Sequence, residues 1–344
     1  MIYKIKIQDD EIFAYSMGRI RALENLLLDK EKVERMLSSS DPNIFTSVLN
    51  ETTFTDDLSL ISRPEDFQKV LNSHLKRTKK FILKITPPSS HKDLSFLWLK
   101  YDVQNAKVLL KARLEKKEIR DNYLSGLGNV SKGKLKKYIS NNEIEEETSE
   151  QEKENVFFKF IDRAKETKEP EEIDFALDKA YFGLLSEYSK LSYYQVIKDL
   201  IKIWIDLYNI KTFIRAKILE KDKKFLKKVL TPHGSFDLKF FAKLLSLGLE
   251  KLPGEFKDSP YGKIVEETID YYSKNNSLSI LDKLIYDFEM SFLKEENKVS
   301  LGIAPVIGYM LAKENEVRVL RIIMIGKLRR IPREEIEKYI GILY

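Results

Sequence analysis

The chain contains no cysteine. That absence excludes disulfides, cysteine-ligated zinc, iron–sulfur clusters and thiol nucleophiles at once. Histidine is almost as scarce. His74, His91 and His233 are the only three in 344 residues, and none forms the paired spacing of a helical zinc site. Each reads as a surface or helix-end residue. No GxxxxGK[ST] phosphate loop and no GxGxxG turn occurs, so the common nucleotide-cradling signatures are missing. No uninterrupted apolar run approaches the ~18 residues of a membrane span. The most apolar stretch, residues 317–326, is broken by Arg318 and Arg321. The opening MIYKIKIQDDEIF lacks the sustained apolar centre of a secretion signal. These absences predict a soluble, cytoplasmic protein with at most peripheral membrane contact.

Glycine and proline are also few, at 13 and 10. Apolar residues recur mainly at i, i+3 and i+4, which predicts an all-α protein. Lys and Arg number 60 against 54 Asp and Glu, so the net charge of +6 is spread over a mixed surface. A nucleic-acid binder concentrates its excess on one stripe. The basic clusters at 76–80, 132–137 and 221–228 are interleaved with acids and read as solvated surface. With so many carboxylates, acidic pairs arise by chance, and no sheet scaffold is predicted to aim them. No catalytic residue, cofactor or metal ligand is assigned.

What is present is a repeat. DVQNAKVLLKAR, starting at Asp102, returns as DLYNIKTFIRAK from Asp206 and as EVRVLRIIMIGK from Glu316. Asn105 and Asn209 share the fourth position with Val319. Lys107, Lys211 and Arg321 share the sixth, Ala112, Ala216 and Gly326 the eleventh, and Arg113, Lys217 and Lys327 the twelfth. A spacing near one third of the chain marks repeated domains rather than a solenoid. The predicted domains are 1–120, 121–225 and 226–344.

Each domain reads as short helices followed by two long antiparallel helices, the second bearing the motif. Phe13, Met17, Ile20, Leu23, Leu27 and Leu28 line one predicted helix. Asp41–Pro42 opens a short one, and Ser62, Pro64 and Glu65 resemble a capping box. Ser192 and Gln195 are read as a second capping box. A helix is placed around 240–249, and a turn at Pro253–Gly254. Leu177–Asp178–Lys179 and Leu281–Asp282–Lys283 are a second repeated element, with Leu71–Asn72–Ser73 a weaker copy. Between Glu143 and Glu154, seven Glu stand against one Lys. Such a segment is predicted to be an exposed, mobile insertion in the second domain.

Asp102 and Asn105 are three residues apart and share a helix face. Asn competes with backbone hydrogen bonds inside a helix, so its recurrence points to a tertiary hydrogen bond. Two readings of the motif stay open. In one, Asp102, Asn105, Asp206, Asn209 and Glu316 fix packing inside each domain. In the other, the basic ends grip a partner through Arg113, Lys116, Lys217, Lys221, Lys327, Arg329 and Arg330. On the second reading, charge reversal at Lys217 and Lys327 should weaken assembly more than it lowers the melting temperature.

LGIAPVIGYMLAKENEVRVLRIIMIGKLRRIPREEIEKYI, residues 301–340, resembles the C-terminal signature of the C subunit of V-type (archaeal-type) ATPases, the family of the eukaryotic V-ATPase d subunit. AYSMGRIRALENLLLDKEKVERML at 14–37 and FALDKAYF at 175–182 resemble its other characteristic stretches. Val319 and the acidic 143–154 segment depart from the pattern. The resemblance implies three similar helical domains about a pseudo-threefold axis, forming a funnel. It implies a non-catalytic rotor subunit on the cytoplasmic face of the membrane, a socket between the central-stalk subunits and the proteolipid ring. The residues themselves leave two alternatives open, a free-standing helical scaffold and a nucleic-acid-binding protein.

Overall fold

The computed structural model describes residues 10–39, 43–61, 66–140, 156–298 and 301–344. The Asp41–Pro42 cap, the 62–65 capping signature, the first nine residues and the acidic 143–154 segment lie outside the described residues.

In chain order the helices are α1 Ala14–Glu24, α2 Lys30–Ser38, α3 Ile44–Asn50, α4 Phe67–Ile85, α5 His91–Leu94, α6 Phe96–Leu114, α7 Lys132–Ser140, α8 Val156–Lys165 and α9 Pro170–Leu191. They continue with α10 Gln195–Ile218, α11 Lys223–Val229, α12 Leu238–Leu244, α13 Leu252–Phe256, α14 Gly262–Asn275, α15 Ser279–Glu296, α16 Ala304–Leu328 and α17 Arg333–Glu337. A 3-10 turn covers Thr55–Leu60. No strand occurs among the described residues, and the protein is all-α.

Two compact units result. One combines Met1–His91 with Leu247–Tyr344. Its centre is α16, against which α1, α4, α15 and α17 pack. Seventeen of the 25 residues of α16 are buried, so this helix is covered over most of its circumference, and its first turns, from Ala304 to Ala312, carry no charged residue. The other unit is Lys92–Ser246. There α6, α7, α8 and α9 enclose a core of Val103, Ala106, Leu110, Leu135, Phe158, Ile161 and Leu177, while α10 pairs with α9 and α11.

Several boundaries differ from those the sequence implies. The first helix ends at Glu24, and Leu27 and Leu28 are buried in the turn that follows it. Ser192 Oγ accepts from Tyr194 N at 3.1 Å, a local turn before α10 rather than a capping box. The helix placed at 240–249 is α12 and stops at Leu244. Pro253 sits in the first turn of α13, where its missing N–H costs nothing. His74 is neither a surface nor a helix-end residue: it lies on the inner face of α4 with 2% of its surface exposed.

Candidate functional site

The recurring Asp–Asn pair is a backbone clasp. Asp102 is 1% exposed; its two carboxylate oxygens accept from Asn129 N at 2.8 Å and Val130 N at 2.9 Å. One turn further along α6, Asn105 Nδ2 donates to the Ser125 carbonyl at 2.9 Å. Ser125 N donates back to Asn105 Oδ1 at 2.7 Å. An amide side chain presents one donor and one acceptor side by side, as a peptide unit does. Asn105 therefore pairs with a whole backbone residue of the loop after the helix.

The second copy repeats this. Asp206 accepts from Ser235 N, and its other oxygen from Ser235 Oγ at 2.6 Å. Asn209 Nδ2 donates to Thr231 O at 2.8 Å, and Thr231 N donates to Asn209 Oδ1 at 3.0 Å. Both clasps need a close backbone approach. A Cβ on Gly128 would collide with the Asp102 carboxylate, and one on Gly234 with that of Asp206. These two glycines are functional parts of the repeat that the motif alignment missed. Each directly precedes a clasped residue, Asn129 or Ser235, and that offset was the available signal.

In the third copy Glu316 reaches Leu28 N. The residue before Leu28 is Leu27, where the other two copies have the close-approach glycine, and the acid is Glu, one methylene longer than Asp. Val319, in place of Asn, is fully buried. Glu316 also accepts from Lys313 Nζ at 2.6 Å.

The clasped segments share a destination, because each runs into the N-cap of the next helix. Asp29 caps α2 through Lys32 N at 2.8 Å, and Asp237 caps α12 through Phe240 N at 2.8 Å. Ser131 Oγ accepts more weakly from Lys134 N at 3.3 Å before α7. The motif helix α6 thus holds the lead-in to α7, α10 that to α12, and α16 that to α2. The last of these joins the two ends of the sequence within one unit.

The twelfth-position cations reach the far ends of those same short helices. Lys217 Nζ donates to Leu244 O and Leu245 O, both at 3.0 Å, at the end of α12. Lys327 Nζ donates to Leu37 O at 3.0 Å and to Ser39 O at the end of α2. A cation on the last carbonyls satisfies groups the helix leaves open and meets its negative pole. Burial, with the nearby Arg333 guanidinium, pushes the Lys327 ammonium below its usual value. Both lysines have intramolecular partners. At the sixth position Lys107 Nζ stands 2.6 Å from Asp178, the acidic residue of the second repeated element. Arg321 Nε donates to Gln68 at 3.3 Å.

Every motif helix also ends alike. Lys116, Glu220 and Arg330 adopt left-handed backbone, with φ of 53, 52 and 55°. The next N–H folds back onto the eleventh-position carbonyl, Lys117 to Ala112 at 2.8 Å, Lys221 to Ala216 at 2.9 Å and Ile331 to Gly326 at 2.8 Å. This is the Schellman termination, formed three times without its usual glycine. It leaves Arg113, Lys116, Lys221, Arg329 and Arg330 exposed.

Behind the third clasp lies a buried charge cluster. Lys313, fully buried, donates to Thr53 Oγ1 at 2.6 Å as well as to Glu316. His74 Nδ1 is 3.2 Å from Asp57 Oδ2, its Nε2 is 3.5 Å from Thr53 Oγ1, and its ring stacks on Phe54 at 3.7 Å. Arg77 bridges Asp56 and Asp57 and donates to Thr53 O. A cleft of about 380 Å³ opens beside it, lined in part by Arg19, Thr53, Asp56, His74, Arg77 and Tyr309. Thr52, Thr55 and Thr78 along it donate to backbone carbonyls, and Arg19 lies over the Phe81 ring. Among the described residues no cluster of His, Asp and Glu could hold a metal ion.

A family model described as ATP synthase (C/AC39) subunit matches residues 16–339. The chain is 24% identical over 339 residues to the A-type ATP synthase C subunit of Methanocaldococcus jannaschii, covering 94% of this chain and 85% of the relative. It is 24% identical to that of Thermococcus kodakarensis over 90% of this chain and 85% of the relative. For the Methanosarcina acetivorans protein of the same name the figures are 26%, 92% and 89%.

Proposed function

The chain belongs to the ATP synthase (C/AC39) subunit family, and on that premise we propose that it is the non-catalytic rotor socket of an A/V-type ATP synthase. In this reading it joins the central-stalk subunits to the membrane proteolipid ring at the cytoplasmic face and passes torque between them. The observation that carries the proposal is the family match across residues 16–339, with similarity along nearly the full length of proteins named as the C subunits of A-type ATP synthases. No helix among the described residues is long and apolar enough to cross a membrane, and attachment in this reading goes through the partners.

The clasps give the proposal a mechanical basis. Two clasps lie within the unit Lys92–Ser246 and the third ties Leu28 to α16 within the other unit, so each unit is cross-braced by its motif helices. In the proposed reading the repeats form three domains in a funnel about a pseudo-threefold axis. Long helices packed side by side resist twisting, which torque transmission needs. The exposed cations Arg113, Lys116, Lys221, Arg329 and Arg330 are proposed to help hold a partner. The test is binding of the purified chain to stalk subunits and, separately, to the detergent-solubilised ring. Both should bind, and the chain should copurify with membrane ATPase activity. Binding to neither overturns the proposal.

A further inference from the structure

The three clasps are not chemically equivalent. The third has a buried histidine close behind it, and the Asp102 clasp has none in α6 or in the segment 125–130 that it holds. We propose that the Glu316–Leu28 clasp is pH-responsive, shut while His74 is neutral and loosened when His74 takes up a proton.

His74 Nδ1 stands 3.2 Å from Asp57 Oδ2 and 3.4 Å from Arg77 Nη2; assigning the hydrogen of the neutral ring to Nδ1, because the carboxylate can only accept, leaves a bare Nε2 facing Thr53 Oγ1 at 3.5 Å. A second proton must go onto Nε2, pointing at Thr53 Oγ1. That oxygen already accepts from Lys313 Nζ at 2.6 Å. The new imidazolium would therefore confront a fully buried ammonium across one shared hydroxyl. Lys313 is in turn the 2.6 Å partner of Glu316, and the other oxygen of Glu316 holds Leu28 N. Displacing Lys313 withdraws the charge that fixes the clasp carboxylate.

The surroundings offer no spare acid. The 3-10 turn contributes Asp56 and Asp57, both engaged by Arg77 of α4. From α16 come Glu316, Lys313 and the phenol of Tyr309, and from α1 comes Arg19 at the cleft. Glu24 of α1 is taken by Arg21. Three carboxylates face three cations, so a fourth positive charge is uncompensated. Burial is the largest influence on His74 and holds it below its usual value; Lys313 acts in the same direction, against Asp57 and Glu316. The sign follows. The clasp contributes fully above the ordinary histidine value near 6.5, and the contribution is lost as pH falls from there through the lowered folded-state value.

Hydrogen exchange of the intact chain tests this, comparing peptides spanning Leu26–Leu37 with peptides spanning 125–135 at about pH 7.5 and about pH 5, corrected for intrinsic rates. Protection around Leu28 should fall about tenfold more than protection around Val130. His74→Gln should abolish that difference. If His74→Gln does not fold, an NMR titration of the wild-type His74 ring replaces it, and the ring and the Leu28 amide should shift together. Equal losses in both segments, a pH dependence that survives in H74Q, or a His74 titration that leaves the Leu28 amide unmoved would each overturn the proposal.

Discussion

Asn209 and Thr231 exchange a pair of hydrogen bonds, 2.8 Å out from the side-chain amide and 3.0 Å back from the backbone N–H. Both residues are buried. Asn209→Leu would leave the Thr231 N–H and carbonyl without partners and should destabilise the chain by about 2–4 kcal/mol. Urea unfolding measures it. A loss below about 0.5 kcal/mol would mean that the loop is held by other contacts. The reverse change, Val319→Asn, should also destabilise, because it places a polar amide at a fully buried position now held by valine.

The two close-approach glycines should be intolerant. Gly128→Ala and Gly234→Ala each place a methyl against a clasp carboxylate and should cost about 1–3 kcal/mol. Gly133 and Gly183, where a Cβ meets nothing within 4 Å, are the controls. Both lie inside helices, and alanine there should be neutral or stabilising. Equal behaviour of the two pairs in thermal unfolding would refute the close-approach account.

The left-handed helix ends predict the opposite sign. Lys116→Gly, Glu220→Gly and Arg330→Gly remove the side-chain strain of positive φ, offsetting the flexibility glycine adds to the unfolded chain. Each should be neutral to about 1 kcal/mol stabilising, whereas alanine at the same positions should gain nothing. Thermal midpoints of the six variants separate these outcomes.

The basic residues divide into two groups. Lys217→Glu and Lys327→Glu lose contacts to helix-terminal carbonyls and should lower the stability of the isolated chain by about 1–3 kcal/mol. Lys221→Glu and Arg329→Glu alter exposed side chains and should leave stability within about 0.5 kcal/mol, while weakening capture by stalk or ring subunits. Pull-down and melting curves on the same variants give both readouts. If the exposed pair proves silent in capture, these cations have no part in assembly.

Lys313 and Glu316 should show the asymmetry of a buried ion pair. Lys313→Met strands the Glu316 carboxylate and should cost about 3–5 kcal/mol. Adding Glu316→Gln removes the stranded charge and should recover part of that loss. A double variant worse than the single would indicate that Leu28 depends on the carboxylate more than the buried charge depends on Lys313.

Much of this architecture was legible from residue types. Apolar spacing placed the long helices, and the shared register of Asp102, Asp206 and Glu316 exposed the repeat. The clasp partners were illegible for a physical reason. Asn129, Val130, Ser235 and Leu28 take part through backbone N–H groups, which nearly every residue has, so nothing in their side chains announces the contact. Only Gly128 and Gly234 carry a trace of it. The helix ends at Lys116, Glu220 and Arg330 were hidden because no glycine marks the positive φ. His74 was misjudged because its environment is assembled from afar, with Thr53 and Lys313 lying 260 residues apart.

The clasp between Glu316 and Leu28 also sets an order on the ribosome. Asp102 meets its Asn129 partner after 27 more residues are added, roughly 1–5 s at ordinary translation rates. Leu28 must wait for a carboxylate 288 residues downstream, roughly 15–60 s. Throughout that interval the lead-in to α2 is a nascent segment with its backbone donor unmet, exposed to whatever binds emerging chains. A short helix synthesised early is therefore among the last to be secured.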